Sequence, residues 1–241
     1  MDRIATTVDE LTAEFISGAL DCDGAVQGVS ATRIGTGQVA LSLRLDLDLS
    51  DDAPPDLPQV LVAKIPSPDV ESREAARMHL TYHKEVGFYR DLAGVVSVPH
   101  PTVRYAVIDA ESGDFTLLMH QAQGDVGDQL AGCSLSDATA MVDAAVGLHA
   151  PTWGRASELA RDGWLTLPDP SGASTRQAIY SMLLPGFIDR FQHRLPSGVM
   201  DAARWLGDNL EQLLALLRLP LCVVHGDYRL DNMLFERTGQ S

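Results

Sequence analysis

Val223-Val224-His225-Gly226-Asp227-Tyr228-Arg229-Leu230-Asp231-Asn232-Met233-Leu234-Phe235 is the stretch on which the reading of this chain turns. Two apolar β-formers lead in, and Met233-Leu234-Phe235 leads out. The pattern predicts a strand, a polar loop and a second strand. The loop carries His225, Asp227 and, five residues after that Asp, Asn232. A carboxylate beside a neutral amide oxygen suits a reaction in which a hydroxyl loses its proton next to a metal ion.

This spacing resembles the catalytic loop of kinases, where the Asp accepts the substrate hydroxyl proton and the Asn holds magnesium. Phosphoryl transfer asks the protein for positioning and charge neutralisation rather than covalent chemistry. His225-Gly226-Asp227, with Gly where protein kinases usually carry Arg, resembles the aminoglycoside phosphotransferase and choline kinase-like family. The resemblance implies an α+β, protein-kinase-like two-lobed fold. An antiparallel N-lobe sheet with its helix would span 1–121 and bind nucleotide. A mainly helical C-lobe would span 122–241 and carry the catalytic loop at 223–235. ATP and Mg2+ are the implied cofactors, and the implied partner is a small-molecule hydroxyl acceptor. Because the motif is short, the rest of the chain must supply the other parts in order.

Composition narrows the field. With 241 residues the chain can bury a substantial core. Its 33 acidic and 18 basic residues give a net charge of −15. That balance argues against a nucleic-acid partner, which needs a basic footprint, and against docking on anionic membranes. Cys22, Cys133 and Cys222 are far apart and odd in number, so reduced thiols in a cytoplasmic setting are expected rather than a disulfide framework or zinc site. Neither a signal peptide nor a membrane-spanning run is expected.

Taken in order, residues 8–20 read as an opening helix capped by Thr7 or Asp9, with Leu11, Phe15, Ile16 and Leu20 on its apolar face. From Val29 to Leu47 two strands flank a turn at Gly35 and Gly37, and alternation at period 2 begins at Val39. A glycine hairpin lets backbone N–H groups approach phosphate oxygens, though it serves equally as a plain turn. Gln59 to Pro66 is an apolar strand interrupted by Lys64. Such a lysine either binds a partner or snorkels to water. Residues 69–92 read as one long helix capped by Ser67 or Asp69. Met78, Tyr82, Glu85, Tyr89 and Leu92 line one face. A carboxylate within a core-facing stripe needs a cation, and Lys64 is the candidate; Glu71 and Glu74 are better explained by the helix N-terminus. His79 and His83 share a helix face but have no evident third metal ligand.

A hairpin follows, with strands over Val103–Asp109 and Phe115–Met119. Helices are expected over 136–149, 176–193 and 200–218. The last should pack Trp205, Leu206, Leu210, Leu213, Leu214 and Leu217 into a core.

The resemblance gives these residues roles. Gly35 and Gly37 would cover the phosphates. Lys64, held by Glu85, would bind them. Met119 and His120 would form the hinge against adenine. Asp227 would deprotonate the acceptor, Asn232 would bind Mg2+, and His225 would brace the loop. Glu85-Val86-Gly87-Phe88-Tyr89 resembles a segment of the ecdysteroid-kinase-like branch. One element departs from the pattern. The family's second metal-binding Asp lies more than ten residues beyond the Asn, and no fitting acid follows Asn232 here. The expectation is therefore a chain truncated after its catalytic loop, with an incomplete C-lobe. Two functions stay open: a small-molecule kinase, or a catalytically impaired nucleotide-binding pseudokinase.

Overall fold

The computed structural model describes residues 3–35, 39–168, 170–216 and 220–236. Five strands form an antiparallel sheet: β1 Val26–Arg33, β2 Ala40–Leu49, β3 Val60–Pro66, β4 Val103–Ile108 and β5 Phe115–His120. Their spatial order is β1-β2-β3-β5-β4. The alternation in β2 sends Leu41, Leu43, Leu45 and Leu47 to one face, where they are buried. There they meet Leu61, Ala63 and Ile65 of β3 and the helix α1, Ala13–Ala19, through Phe15 and Ile16. Each such leucine or isoleucine taken from water contributes about 1.5–3 kcal/mol.

The opening helix is shorter than the periodicity predicts. Val8–Glu10 is a 3-10 turn, and α1 starts afresh at Thr12, whose side chain accepts from the Phe15 N–H at 3.1 Å. A second helix former competes at that point: Glu10 turns back to accept from the N–H groups of Thr6 and Thr7. This closes the first turn on itself.

The opposite face of the sheet is covered by the segment expected as a single helix over 69–92. It is three pieces: α2 Val70–Met78, α3 Thr81–Gly87 and a π-helical turn Phe88–Leu92. Asp69, not Ser67, caps α2 by accepting from Ser72 N–H at 2.8 Å. The break falls at Leu80, whose φ of 53° is left-handed. That conformation is unfavourable for a leucine, and it redirects the chain so that Tyr82, Val86 and Leu92 are buried while Met78 is 79% exposed. Met78 therefore leaves the stripe that its spacing assigned to it. Tyr82 ties α3 to the sheet: its hydroxyl accepts from Ser67 N–H and donates to the Val39 carbonyl. The Tyr82 ring lies 4.5 Å from that of Phe115.

Beyond the sheet, a two-residue strand β6, Asp125–Val126, precedes α4, Leu135–Thr152, which runs three residues past its expected end. Ser134 and Asp137 cap it reciprocally. The lead-in Leu221–Val224 forms no strand, contrary to expectation. Only the exit forms one: β7, Leu234–Phe235, pairs antiparallel with β6. Val224 is 64% exposed, so its apolar side chain has no layer to join.

The chain divides into two compact units. The first comprises the described residues up to Thr152 and again from Val223. The second runs from Trp153 to Cys222 and holds α5 Ala156–Leu159, α6 Ala173–Phe191 and α7 Ser197–Leu216. α6 and α7 approach closely at Gly207, where a side chain would meet Leu184. The Tyr180 hydroxyl donates to the Ala203 carbonyl across the same contact. The expected apolar face of α7 is only partly covered: Trp205 is 57% and Leu213 38% exposed. Leu217 lies outside the described residues. Among the described residues no helix is long and apolar enough to cross a membrane.

Candidate functional site

Two residue pairs in the first unit bring expected site residues together. The first is Lys64 with Glu85. Lys64 sits on β3 opposite Ser42 of β2 and Leu117 of β5. Its Nζ donates to Glu85 Oε1 of α3. Both side chains are partly covered, 32% and 22% exposed. The cation in an apolar strand and the acid in a core-facing stripe thus satisfy each other. Tyr89 stands beside them; burial, with the Glu85 charge adding to it, pushes its phenol above the usual tyrosine range. An ammonium held by one carboxylate and still partly open keeps donors for an anionic ligand.

The second pair is Asp227 with Asn232. Asn232 Nδ2 donates to Asp227 Oδ2 and to the Asp227 carbonyl, both at 2.9 Å. With Nδ2 so fixed, Oδ1 of Asn232 is the atom left to face a cation. The other carboxylate oxygen, Oδ1 of Asp227, pairs with Arg229 Nε at 3.2 Å, which also reaches Asp231 at 3.2 Å. His225 Nδ1 accepts from the Asp227 N–H at 3.2 Å, and its ring packs edge-on against Tyr228. Gly226, at φ 82°, makes the left-handed turn that lets His225 fold back on Asp227.

Four contacts outside the motif hold this loop. Thr152 Oγ1, at the end of α4, accepts from Val223 N–H at 3.0 Å. Tyr228 donates its hydroxyl to the Met141 carbonyl at 2.7 Å. Gln129 Oε1 accepts from Leu230 N–H at 3.0 Å. Gly127 donates to the Met233 carbonyl at 3.1 Å, and a Cβ on Gly127 would lie 2.5 Å from the Leu230 carbonyl oxygen. Sequence reasoning passed over all four. Gly127, in a polar stretch beside β6, carried the nearest thing to a signal.

Of the remaining expected site residues, Gly35 is left-handed at φ 69° with open space around it. Gly37 lies outside the described residues. Met119 is buried between Val62 and Val103. His120 donates its N–H to the Thr102 carbonyl at 2.8 Å, while its ring Nε2 is buried without a partner among the described residues. Among the described residues no three His, Cys, Asp or Glu side chains group as a metal site. The donor set nevertheless fits magnesium bound jointly with phosphates. That ion takes one or two protein oxygens and completes its shell from phosphate and water. Asn232 Oδ1, beside the Asp227 carboxylate, offers such an oxygen.

Comparison with known proteins bears on the family and the fold. Residues 55–241 match the family described as "Phosphotransferase enzyme family". A crystal structure from Ralstonia eutropha JMP134, described as a "putative aminoglycoside phosphotransferase", shares 21% identity at a TM-score of 0.53. The alignment covers 98% of this chain and 62% of that one, so the chain spans about three fifths of that protein's length. No curated protein matches the chain. At that identity the likeness is one of fold, which is α+β and protein-kinase-like.

Proposed function

The chain belongs to the phosphotransferase enzyme family, and from that premise we propose that it transfers the γ-phosphoryl group of ATP to a hydroxyl of a small molecule. The observation that carries the proposal is the coexistence, in one compact unit, of the Lys64–Glu85 and Asp227–Asn232 pairs. Lys64 would bind nucleotide phosphates, with Glu85 setting the direction of its ammonium. Asp227 would orient the acceptor hydroxyl and take its proton, and His225 would brace the loop. Asn232 Oδ1 would hold Mg2+, which when bound supplies charge neutralisation at the phosphates. Gly35 and Gly37 would close over the phosphates, and Met119 and His120 would border the base. The same reading places a lobe boundary near residues 121 and 122 and the reaction in the cytoplasm. Glu85-x-x-Phe88-Tyr89 supports the ecdysteroid-kinase-like branch.

A second reading, nucleotide binding without transfer, is favoured by one observation. Both oxygens of Asp227 are engaged, one by Arg229 and one by Asn232. The test is calorimetric titration of Mg-ATP into the wild-type chain and Lys64→Ala, followed by phosphate transfer to a panel of hydroxyl acceptors with Asp227→Asn as control. Binding that needs Lys64 and transfer that needs Asp227 support the kinase. Binding with no transfer to any acceptor supports the second reading. Wild-type protein that binds no ATP overturns both.

A further inference from the structure

In an antiparallel ladder, paired residues exchange N–H···O bonds at every second position. Between β2 and β3, Leu47 donates to the Gln59 carbonyl at 2.8 Å, which makes that position a bonded one. Steps of two from it, through Leu45–Leu61, Leu43–Ala63 and Leu41–Ile65, lead to Val39 opposite Ser67. The ladder stops just short of them, at Ala40 and Pro66. A relay stands where the next bond is due. Ser67 N–H donates to the Tyr82 hydroxyl at 3.1 Å, and that hydroxyl donates to the Val39 carbonyl. A side chain from α3 is thus a spacer between the two strands.

Its place gives the spacer a use. Val39 is where the chain enters β2 from the turn expected at Gly35 and Gly37. Tyr82 shares a face of α3 with Glu85, three residues on, which holds the Lys64 ammonium. Lys64 and Ser67 are three residues apart on β3, or about 10 Å. One helix therefore grips β3 twice, through Glu85 at the ammonium and through Tyr82 at the mouth of the hairpin. Tyr82 is 3% exposed and its ring packs on Phe115, so the hydroxyl is held where it stands. Without that oxygen, Ser67 N–H and the Val39 carbonyl are each other's partners by register. β2 can then zip one pair further onto β3, and the base of the hairpin shifts.

We propose that Tyr82 is a positioning residue of the phosphate site: its hydroxyl ends the β2–β3 ladder and so sets the base of the glycine hairpin relative to Lys64. The inference rests on the nucleotide reading of the Lys64 site. It adds the link by which α3 holds hairpin and ammonium in one frame.

The test is calorimetric titration with ATP, inorganic tripolyphosphate and adenosine. Tyr82→Phe keeps the ring and removes only the hydroxyl. It should weaken ATP and tripolyphosphate alike, about five- to tenfold, and leave adenosine, which has no phosphate, unchanged. Phe115→Leu loosens the ring contact and keeps the hydroxyl. It should lower stability and leave tripolyphosphate affinity unchanged. Equal losses for adenosine in Tyr82→Phe, or a tripolyphosphate loss in Phe115→Leu as large as in Tyr82→Phe, would make the role one of packing and overturn the inference. Tripolyphosphate binding that requires Lys64 but ignores Tyr82→Phe sinks this inference alone. Wild-type protein that binds neither ATP nor tripolyphosphate, or whose binding survives Lys64→Ala, sinks the nucleotide reading with it.

Discussion

Thr152 Oγ1 accepts the backbone N–H of Val223 at 3.0 Å, so the last turn of α4 fixes the point from which the loop bearing Asp227 departs. Thr152 is fully buried and also donates to the Leu148 carbonyl at 2.9 Å. Thr152→Val would leave the Val223 N–H buried and unpaired. The expected loss is about 1–3 kcal/mol by chemical denaturation, and Thr152→Ser should restore most of it. A valine variant as stable as wild type would show that the loop is anchored elsewhere.

On the proposed function, Lys64→Met should weaken Mg-ATP by at least about tenfold while shifting unfolding free energy by only about 1 kcal/mol, because the Lys64–Glu85 pair is partly open to solvent. Glu85→Gln should weaken ATP less, since the ammonium remains but loses its guide. Equal effects of the two substitutions on ATP and on stability would mark the pair as structural.

Asp227→Asn should reduce phosphate transfer by about 10²- to 10⁴-fold, the usual contribution of a general base, with ATP affinity nearly unchanged. Single-turnover transfer from labelled ATP measures this directly. Transfer at the wild-type rate in the variant would remove Asp227 from the chemistry.

Gly127→Ala sets a methyl group 2.5 Å from the Leu230 carbonyl oxygen, a contact with backbone that cannot simply rotate away. It should cost about 1–3 kcal/mol and loosen the loop bearing Asp227. Gly94→Ala, where the space is open and φ is not positive, is the matched control and should be nearly neutral. Urea melts of the two variants, with hydrogen exchange at Leu230, distinguish the sites.

Burial raises the phenols of both Tyr82 and Tyr89 above the ordinary tyrosine value. A raised folded value means that the neutral form is favoured by folding. The contribution is complete below the unfolded value, about 10, and is lost as pH rises through the folded values. Thermal melts from pH 8 to 11 should show a steep alkaline decline. Tyr89→Phe should flatten it, and an unchanged slope would count against Tyr89 as its source.

The legibility of these features in the sequence follows their chemistry. Lys64 stands out as a lone cation in an apolar run, and Glu85 as a lone acid in a helical stripe; each anomaly points to the other. Asp227 and Asn232 are legible because a fixed spacing within one loop survives any folding of the rest. The break at Leu80 is not legible, because no Gly or Pro marks it and tertiary contacts of Tyr82 impose the left-handed turn. β6 is too short to show a period, so nothing in Asp125-Val126 announces its pairing with Leu234 and Phe235. The exposure of Trp205 and Leu213 departs from a clean amphipathic pattern. Periodicity says which side of a helix is apolar, and not whether anything lies against it.

The first unit is built from two pieces of chain with the whole of Trp153–Cys222 made between them. During synthesis, at about 5–20 residues per second, the five strands of the sheet leave the ribosome well before Val223 and Leu234. The loop bearing Asp227 thus follows the sheet and docks onto a scaffold that has already had time to form. A nascent chain arrested before Val223 would hold the whole five-stranded sheet and no loop. Protease resistance or a solubility reporter would then score the sheet and stay silent on the loop, so only a signal from Val223 onward can report that Asp227 has been brought to Asn232.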